Sequence, residues 1–328
     1  MTYWKNKIVV VTGAGGFIGS HLAERLVESG ARTRAFLHYN ALGSRGWLDE
    51  SPVRDQIEVA FGDIRDPDTL APALRGAEVV FHLAALIGIP YSYRSPQSYI
   101  RTNVEGTLNV LQAAAEADVR HVIHTSTSEV YGTARQKRIR EDHPLQAQSP
   151  YSASKIAADK VAESLHRSLG LAVSTIRPFN AFGPRQSLRA ILPNIVCQAL
   201  KQDRIELGNL EATRDFNYIS DTVEGFLRVA ESPASIGEVI NIGSGREISI
   251  RNVAETILRL MGKKLPIRSV KERKRPKDSE VDRLCADNGK ARTLIGWQPK
   301  VALEDGLQKL IDAIERNLSH YRSGEYAI

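Results

Sequence analysis

The chain of 328 residues is long enough for one large core or two closely joined domains. Its composition, 42% hydrophobic and 25% charged, is that of a globular protein and excludes collagen-like, low-complexity and disordered classes. The net charge of +6 suits an anionic ligand without requiring one. The basic stretches Arg135–Arg140 and Arg268–Lys277 lack the interleaved aromatics that would point to nucleic acid.

Elements read in chain order alternate between strand and helix. KIVVV (Lys7–Val11) is a continuous apolar run, the pattern of a strand buried on both faces. Ile18, Leu22, Leu26 and Val27 then recur at helical spacing, with Gly30 where the helix should stop. RTRAFLH and IEVAFGD read as strands, DPDTLAPALRG as a short helix, and AEVVFHLAA as a fourth strand. A long helical pattern covers Pro96–Ala117, and VRHVIHTS is a fifth strand. After a polar, basic loop comes a long helix with Pro150 at its start and Gly170 after its end, then the strand LAVSTIRP.

This order predicts an α/β fold, a doubly wound parallel sheet with a smaller interleaved α/β substrate-binding region. The expected division is 1–182 for a dinucleotide-binding domain, which segments near 215–245 rejoin, and 183–328 mainly for substrate. No internal repeat or low-complexity linker separates the two.

Two cysteines, Cys197 and Cys285, make no disulfide framework and suit a reducing compartment. The eight histidines show no metal-ligand spacing, so no metal is expected. The first strand begins almost at once, leaving no room for a signal peptide. The longest apolar run, Val79–Pro90, is too short to span a bilayer and is broken by His82 and Gly88. A cytoplasmic location, away from membrane and nucleic acid, is the expectation.

TGAGGFIGSH (Thr12–His21) places Gly13, Gly16 and Gly19 at the turn between the first strand and its helix. The first allows a tight turn, the second lets backbone approach a pyrophosphate, and the third permits close helix packing. A helix amino terminus there favours phosphate.

TSTSEVYG (Thr125–Gly132) sets hydroxyls and then the carboxylate of Glu129 directly after a core strand. Desolvation there is costly unless something offsets it. Either the strand has ended and Glu129 is solvated, or Glu129 moves protons in a site. YSASK supplies Tyr151 and Lys155, one helical turn apart and so on one face. An ammonium beside the phenol is expected to lower the tyrosine pKa toward neutrality.

With the glycine spacing GxxGxxG and the YxxxK pair, the chain resembles the extended short-chain dehydrogenase/reductase family, across nearly its whole length. The resemblance implies a bound NAD, held by the glycine loop with Phe17 and Ile18. Asp63 and Ile64 of FGDI match the adenine-contacting pair. Leu83, Ala84 and Ala85 of HLAA match the fourth-strand motif along the cofactor, and Asn103 matches a structural asparagine. Tyr151 and Lys155 would take the substrate proton and hold the nicotinamide ribose, while Thr127 orients the substrate oxygen. Where an NAD-specific fold usually ends its second strand with an acidic residue, this chain has His38, which leaves NADP open.

RPFNAFGPR and the closing pattern RP…DN..KA…GW.P…LEDGL resemble the nucleotide-sugar branch of that family. Asn180, Arg214 and Arg275 match residues that bind the nucleotide diphosphate, and Arg189 is a further contact; planar guanidinium groups suit phosphate oxygens. The pair Ser128-Glu129 resembles that of GDP-mannose dehydratases, with Glu129 as the base at C5 and Ser128 assisting. YSASKIAAD, RPFNAFGPRQS and LIGIPYSY resemble the legionaminic-type NAD-dependent 4,6-dehydratases, which act on a nucleotide-activated N-acetylglucosamine. UDP-glucuronate decarboxylases share TSTSEVYG closely. A 4-epimerase, which would not need Glu129, and an idle regulatory dinucleotide-binding protein are the other readings. The helices over Pro96–Ala117 and Pro150–Gly170 resemble those that pair in the family's dimer, so a homodimer is expected.

Overall fold

The computed structural model describes residues 3–321, apart from the side chain of Lys277. Residues 1–2 and 322–328 of the two expected regions lie outside the described residues. Seven parallel strands form the central sheet. They are β1 (Ile8–Thr12), β2 (Arg32–His38), β3 (Glu58–Gly62), β4 (Val79–His82), β5 (His121–Thr125), β6 (Val173–Pro178) and, after four short strands, β11 (Val239–Ile242). Those short strands are β7 (Asn180–Phe182), β8 (Ile205–Leu207), β9 (Thr213–Arg214) and β10 (Phe216–Tyr218). Across the sheet the order is β11-β6-β5-β4-β1-β2-β3, so the chain runs to one edge, returns to the centre and builds outward the other way. The reversal lies between β1 and β4, and ligands of such sheets bind in the crevice it opens at the strands' carboxyl ends.

Alternation along β1 shows why the apolar run reads as buried on both faces. Val9 and Val11 enter one core cluster with Leu22 and Leu26 of α1 (Phe17–Glu28). Val10 enters the opposite cluster with Leu70 of α2 (Pro67–Leu74) and Val80 of β4. The chain then runs through α3 (Ile89–Arg94) and α4 (Pro96–Tyr99) into α5 (Gly106–Glu116), followed by α6 (Pro150–Leu169), α7 (Ile191–Lys201) and α8 (Ile219–Glu231). α8 packs against α1 on one face of the sheet, and α2, α5 and α6 pack on the other.

One departure from the helical reading of 96–117 is local. Residues 100–105 form a π-helical segment joining α4 to α5, and it carries Asn103. A π-turn adds one residue to the helix repeat, which apolar periodicity does not reveal, and such turns are frequent at functional sites. The strand β11 pairs with β6, Val239 opposite Thr175 through Ile242 opposite Pro178, so a segment past residue 182 completes the sheet.

Candidate active site

The glycine turn is shaped by backbone approach. Gly13 has φ +71, and a Cβ there would lie 2.9 Å from the Ala84 amide nitrogen. A Cβ on Gly19 would lie 2.3 Å from the Gly13 carbonyl oxygen. Gly16 caps α1 without a side-chain hydrogen bond, and no acidic residue occupies the first turn. The cradle is therefore bare backbone ending in a positive helix terminus, which fits a pyrophosphate. Phe17 and Ile18 open the helix and are half-buried.

The strand beside it is locked by a hydrogen-bond chain. Thr12 Oγ1 accepts from the amides of Leu83 and Ala84, both at 3.1 Å. Its own proton therefore goes to His82 Nδ1 at 2.9 Å, and His82 Nε2–H donates to Thr107 Oγ1 at 3.0 Å. Thr107 in turn donates to the Asn103 carbonyl at 2.6 Å. Burial holds His82 well below its ordinary pKa, so the imidazole is neutral, as this chain of donors requires. Asn103 accepts from the Leu86 amide at 2.8 Å and donates to Ser154 Oγ at 2.9 Å, tying the loop after Ala85 to α6.

At the far rim of the crevice, Ile64 is buried against Gly106. Asp63 is held by Arg65, whose Nε donates to both carboxylate oxygens at 3.0 Å. That bond, with the Coulomb pull of Arg65 and His38, keeps the Asp63 carboxyl below its usual range against the effect of partial burial. His38 is 73% exposed, its Nδ1 3.7 Å from Asp63 Oδ2.

The centre of the crevice is built by β5 and the start of α6. Thr127 is extended, and its hydroxyl accepts from the Glu129 amide at 3.3 Å to open a 3-10 turn over Ser128–Tyr131. Ser149 and Ser152 form a reciprocal capping box at the head of α6, with Pro150 in the first position. That cap places Tyr151 in the first turn and Lys155 one turn later, both buried.

Here one expectation is corrected. Tyr151 is not lowered toward neutrality: burial pushes its pKa up, Glu129, Tyr99 and Asp159 add to the rise, and the Thr127 hydrogen bond opposes it. The reason is geometric. The Lys155 ammonium donates to the Thr125 carbonyl at 2.5 Å and is itself brought down to about 8 by burial, partly offset by Asp159.

Glu129 is not a solvated strand end. Its side chain is 12% exposed and its Oε2 lies 3.6 Å from Arg275 Nη1. Ser128 is buried beside it. Arg214 is buried and donates to Glu280 at 3.2 Å. Asn180 lies on β7 with a buried Oδ1 that has no hydrogen-bond partner among the described residues. Arg189 is exposed; its Nη1 lies 3.4 Å from where a Cβ on Gly88 would be.

Sequence reasoning missed a buried network behind Lys155. Asp159 Oδ1 accepts from His124 Nε2 at 3.0 Å, and its Oδ2 accepts from Ser126 Oγ at 2.8 Å and Arg177 Nη2 at 2.8 Å. Arg177 Nη1 donates to Tyr131 Oη at 2.9 Å, and Tyr131 Oη donates to Asn241 at 2.7 Å. The available signal was spacing: Asp159 follows Lys155 by the same four residues that separate Lys155 from Tyr151.

Fold and site together define a dinucleotide-binding α/β protein with a tyrosine-lysine pair at the sheet's carboxyl edge. Residues 10–310 match the family model described as GDP-mannose 4,6 dehydratase, and the chain belongs to that family of nucleotide-sugar enzymes. It is 35% identical over 309 residues to a UDP-glucose 4-epimerase of Mycolicibacterium smegmatis, covering 92% of this chain and 97% of the relative. A dTDP-glucose 4,6-dehydratase of Streptomyces antibioticus is 33% identical, with 93% and 91% covered. Among solved structures, the dTDP-glucose 4,6-dehydratase DesIV from Streptomyces venezuelae, with NAD and TYD bound, superposes with a TM-score of 0.89 at 31% identity. That superposition covers 96% of this chain and 99% of DesIV. Among the described residues, no helix is long and apolar enough to cross a membrane.

Proposed function

We propose that this chain is an NAD-dependent nucleotide-sugar 4,6-dehydratase, acting on a nucleotide-activated N-acetylglucosamine such as UDP-N-acetylglucosamine. The observation that carries the reading is the largely buried carboxylate of Glu129, two residues past Thr127 and near enough to Tyr151 to raise its pKa. C4 oxidation and its reversal need one proton acceptor, Tyr151; a carboxylate in the same crevice suits a reaction with a second proton transfer.

The residues fit NAD: the bare glycine cradle would take the pyrophosphate, while Asp63 and Ile64 would hold the adenosine and Lys155 the nicotinamide ribose. Bound NAD supplies the hydride acceptor for C4 and the hydride donor for C6. Tyr151 takes the C4 hydroxyl proton while Thr127 orients that oxygen. The resulting ketone acidifies C5–H. Glu129 removes that proton and passes it to the departing C6 hydroxyl, with Ser128 assisting, so water leaves a 4-keto-5,6-ene. Hydride at C6 and a solvent-derived proton at C5 would then complete the 4-keto-6-deoxy sugar. Asn180, Arg189, Arg214 and Arg275 hold the nucleotide diphosphate.

Incubation with UDP-, GDP- and dTDP-sugars, followed by NMR of the products, tests the reading. The wild type should form a 4-keto-6-deoxy sugar with solvent deuterium at C5. Glu129→Gln should still oxidise C4, so reduced nicotinamide accumulates, while elimination falls by about 10²–10⁴-fold. Carbon dioxide released from UDP-glucuronate, or a C4 epimer without C5 exchange, would replace the dehydratase by a decarboxylase or an epimerase. A homodimer through the helices at 96–116 and 150–169 belongs to the same proposal, and sedimentation equilibrium measures it.

A further inference from the structure

The carboxylate assigned to C5 is already engaged. Glu129 and Arg275 face each other with side chains 12% and 26% exposed, and Arg214 beside them is paired with Glu280. The four groups form one cluster: burial lowers the Arg214 pKa, Glu129 and Glu280 raise it, and Arg275 lowers it. Arg275 Nη1 is buried and has no hydrogen-bond partner among the described residues, although Glu129 Oε2 is 3.6 Å away. That separation attracts but does not bond. A buried guanidinium N–H left in this state is short of an acceptor.

We infer that Arg275 is contested between Glu129 and the substrate diphosphate, so that seating the nucleotide end draws the guanidinium away and releases the elimination base. The inference rests on the reading of Glu129 as the C5 base and Arg275 as a diphosphate contact.

Charge balance is the first argument. Two guanidinium groups and two carboxylates sum to zero, so within this cluster an entering diphosphate gains attraction by taking a guanidinium from a carboxylate. Arginine offers phosphate a planar fork of donors, a better match than one long contact to Glu129. The two pairs also differ in hold. Arg214 hydrogen-bonds Glu280 at 3.2 Å and the Thr213 carbonyl at 2.9 Å, whereas Arg275 meets Glu129 without a hydrogen bond. Arg275 is therefore the one that turns. The backbone that carries it is anchored nearby, since Ser279 bonds both Tyr93 and the Gln148 carbonyl. The change is one of side-chain direction, and it ties C5 chemistry to a nucleoside diphosphate rather than a sugar monophosphate.

Nucleotide affinity of the NAD-loaded protein tests this without turnover. Calorimetry would use whichever of UDP, GDP and dTDP binds the wild type most tightly. Removing the competitor by Glu129→Gln should tighten binding by about 3- to 30-fold, within the range of coupling between neighbouring groups. Arg275→Gln should weaken it, and adding Glu129→Gln in that background should give less than about a twofold gain. Arg275→Lys, which keeps the charge but not the fork, should retain part of the gain and guards against a misfolded Gln variant. Unchanged or weaker binding by Glu129→Gln overturns the inference, and so does an equal gain in the Arg275→Gln background, which would mean plain repulsion of phosphate by Glu129. If Glu129→Gln instead turns over normally, the dehydratase reading fails while the affinity coupling still answers for Arg275.

Discussion

Asp159 lies one helical turn beyond Lys155 on α6, and both side chains are buried, at 5% and 4% exposure. It is the anion that offsets the cost of burying the Lys155 ammonium. The other groups nearby do not help: burial keeps His82 and His124 below their ordinary pKa, and Arg177 is a cation. Removing the charge by Asp159→Asn should lower the Lys155 pKa below its value of about 8, so the ammonium is lost at lower pH. The alkaline limb of the kcat/KM profile should then move toward acid. A purely structural role would lower the melting temperature and leave that limb in place.

The same carboxylate makes the fold sensitive to acid. Burial pushes Asp159 up, but the His124 hydrogen bond, Arg177 and Lys155 together bring it from 3.8 to about 2. A folded pKa below the unfolded one means the unfolded chain binds the extra proton. Stability from this group is therefore present above 3.8 and lost as the pH falls toward 2. Denaturant unfolding followed from pH 5 to 3 should show the loss in the wild type and a shallower slope in Asp159→Asn. That variant should also be weaker at pH 7, by about 3–5 kcal/mol, because Arg177 is left buried without its partner.

What could be read in the chain was what repeats locally. The apolar run Lys7–Val11, the glycines after it and the capped helix at Pro150 each announce themselves within a few residues, and the parallel sheet follows from their alternation. The expectation that segments near 215–245 rejoin the first domain left open which strand they would meet: Val239–Ile242 sits beside β6, a pairing about sixty residues apart that no local pattern encodes. The pKa of Tyr151 escaped for a related reason. YxxxK puts the ammonium on the phenol's face of the helix, but the burial that dominates comes from the loops and strands that close over it. His124 read as an ordinary strand residue because its partner lies on another element, α6.

Gly13→Ala should remove both cofactor and stability. Its φ of +71 suits glycine, and the new methyl carbon would sit 2.9 Å from the Ala84 amide, where backbone cannot give way cheaply. We expect the purified variant to carry no NAD and to lose about 1–3 kcal/mol in denaturant unfolding. Gly170→Ala is the control. It shares the left-handed backbone, at φ +69, but faces open space at the end of α6, so NAD content should be unchanged.

Tyr151→Phe separates the two proton transfers. The ring is buried and packs edge-on against Tyr99, with centroids 6.2 Å apart, and phenylalanine keeps that contact. Melting temperature and NAD content should therefore stay close to wild type. Loss of the phenolic oxygen removes the acceptor for the C4 proton, and turnover should fall by at least about 10²–10⁴-fold. The spectroscopic signature is the informative part. With no C4 oxidation, no reduced nicotinamide forms on mixing with substrate and no deuterium enters at C5. Glu129→Gln should give the opposite first result and the same second one: reduced nicotinamide accumulates, and C5 still does not exchange. Rapid-mixing absorbance paired with NMR of the recovered sugar reads both. If Tyr151→Phe accumulates reduced nicotinamide as Glu129→Gln does, Tyr151 is not the group that accepts the C4 proton, and the order of the two steps must be reassigned.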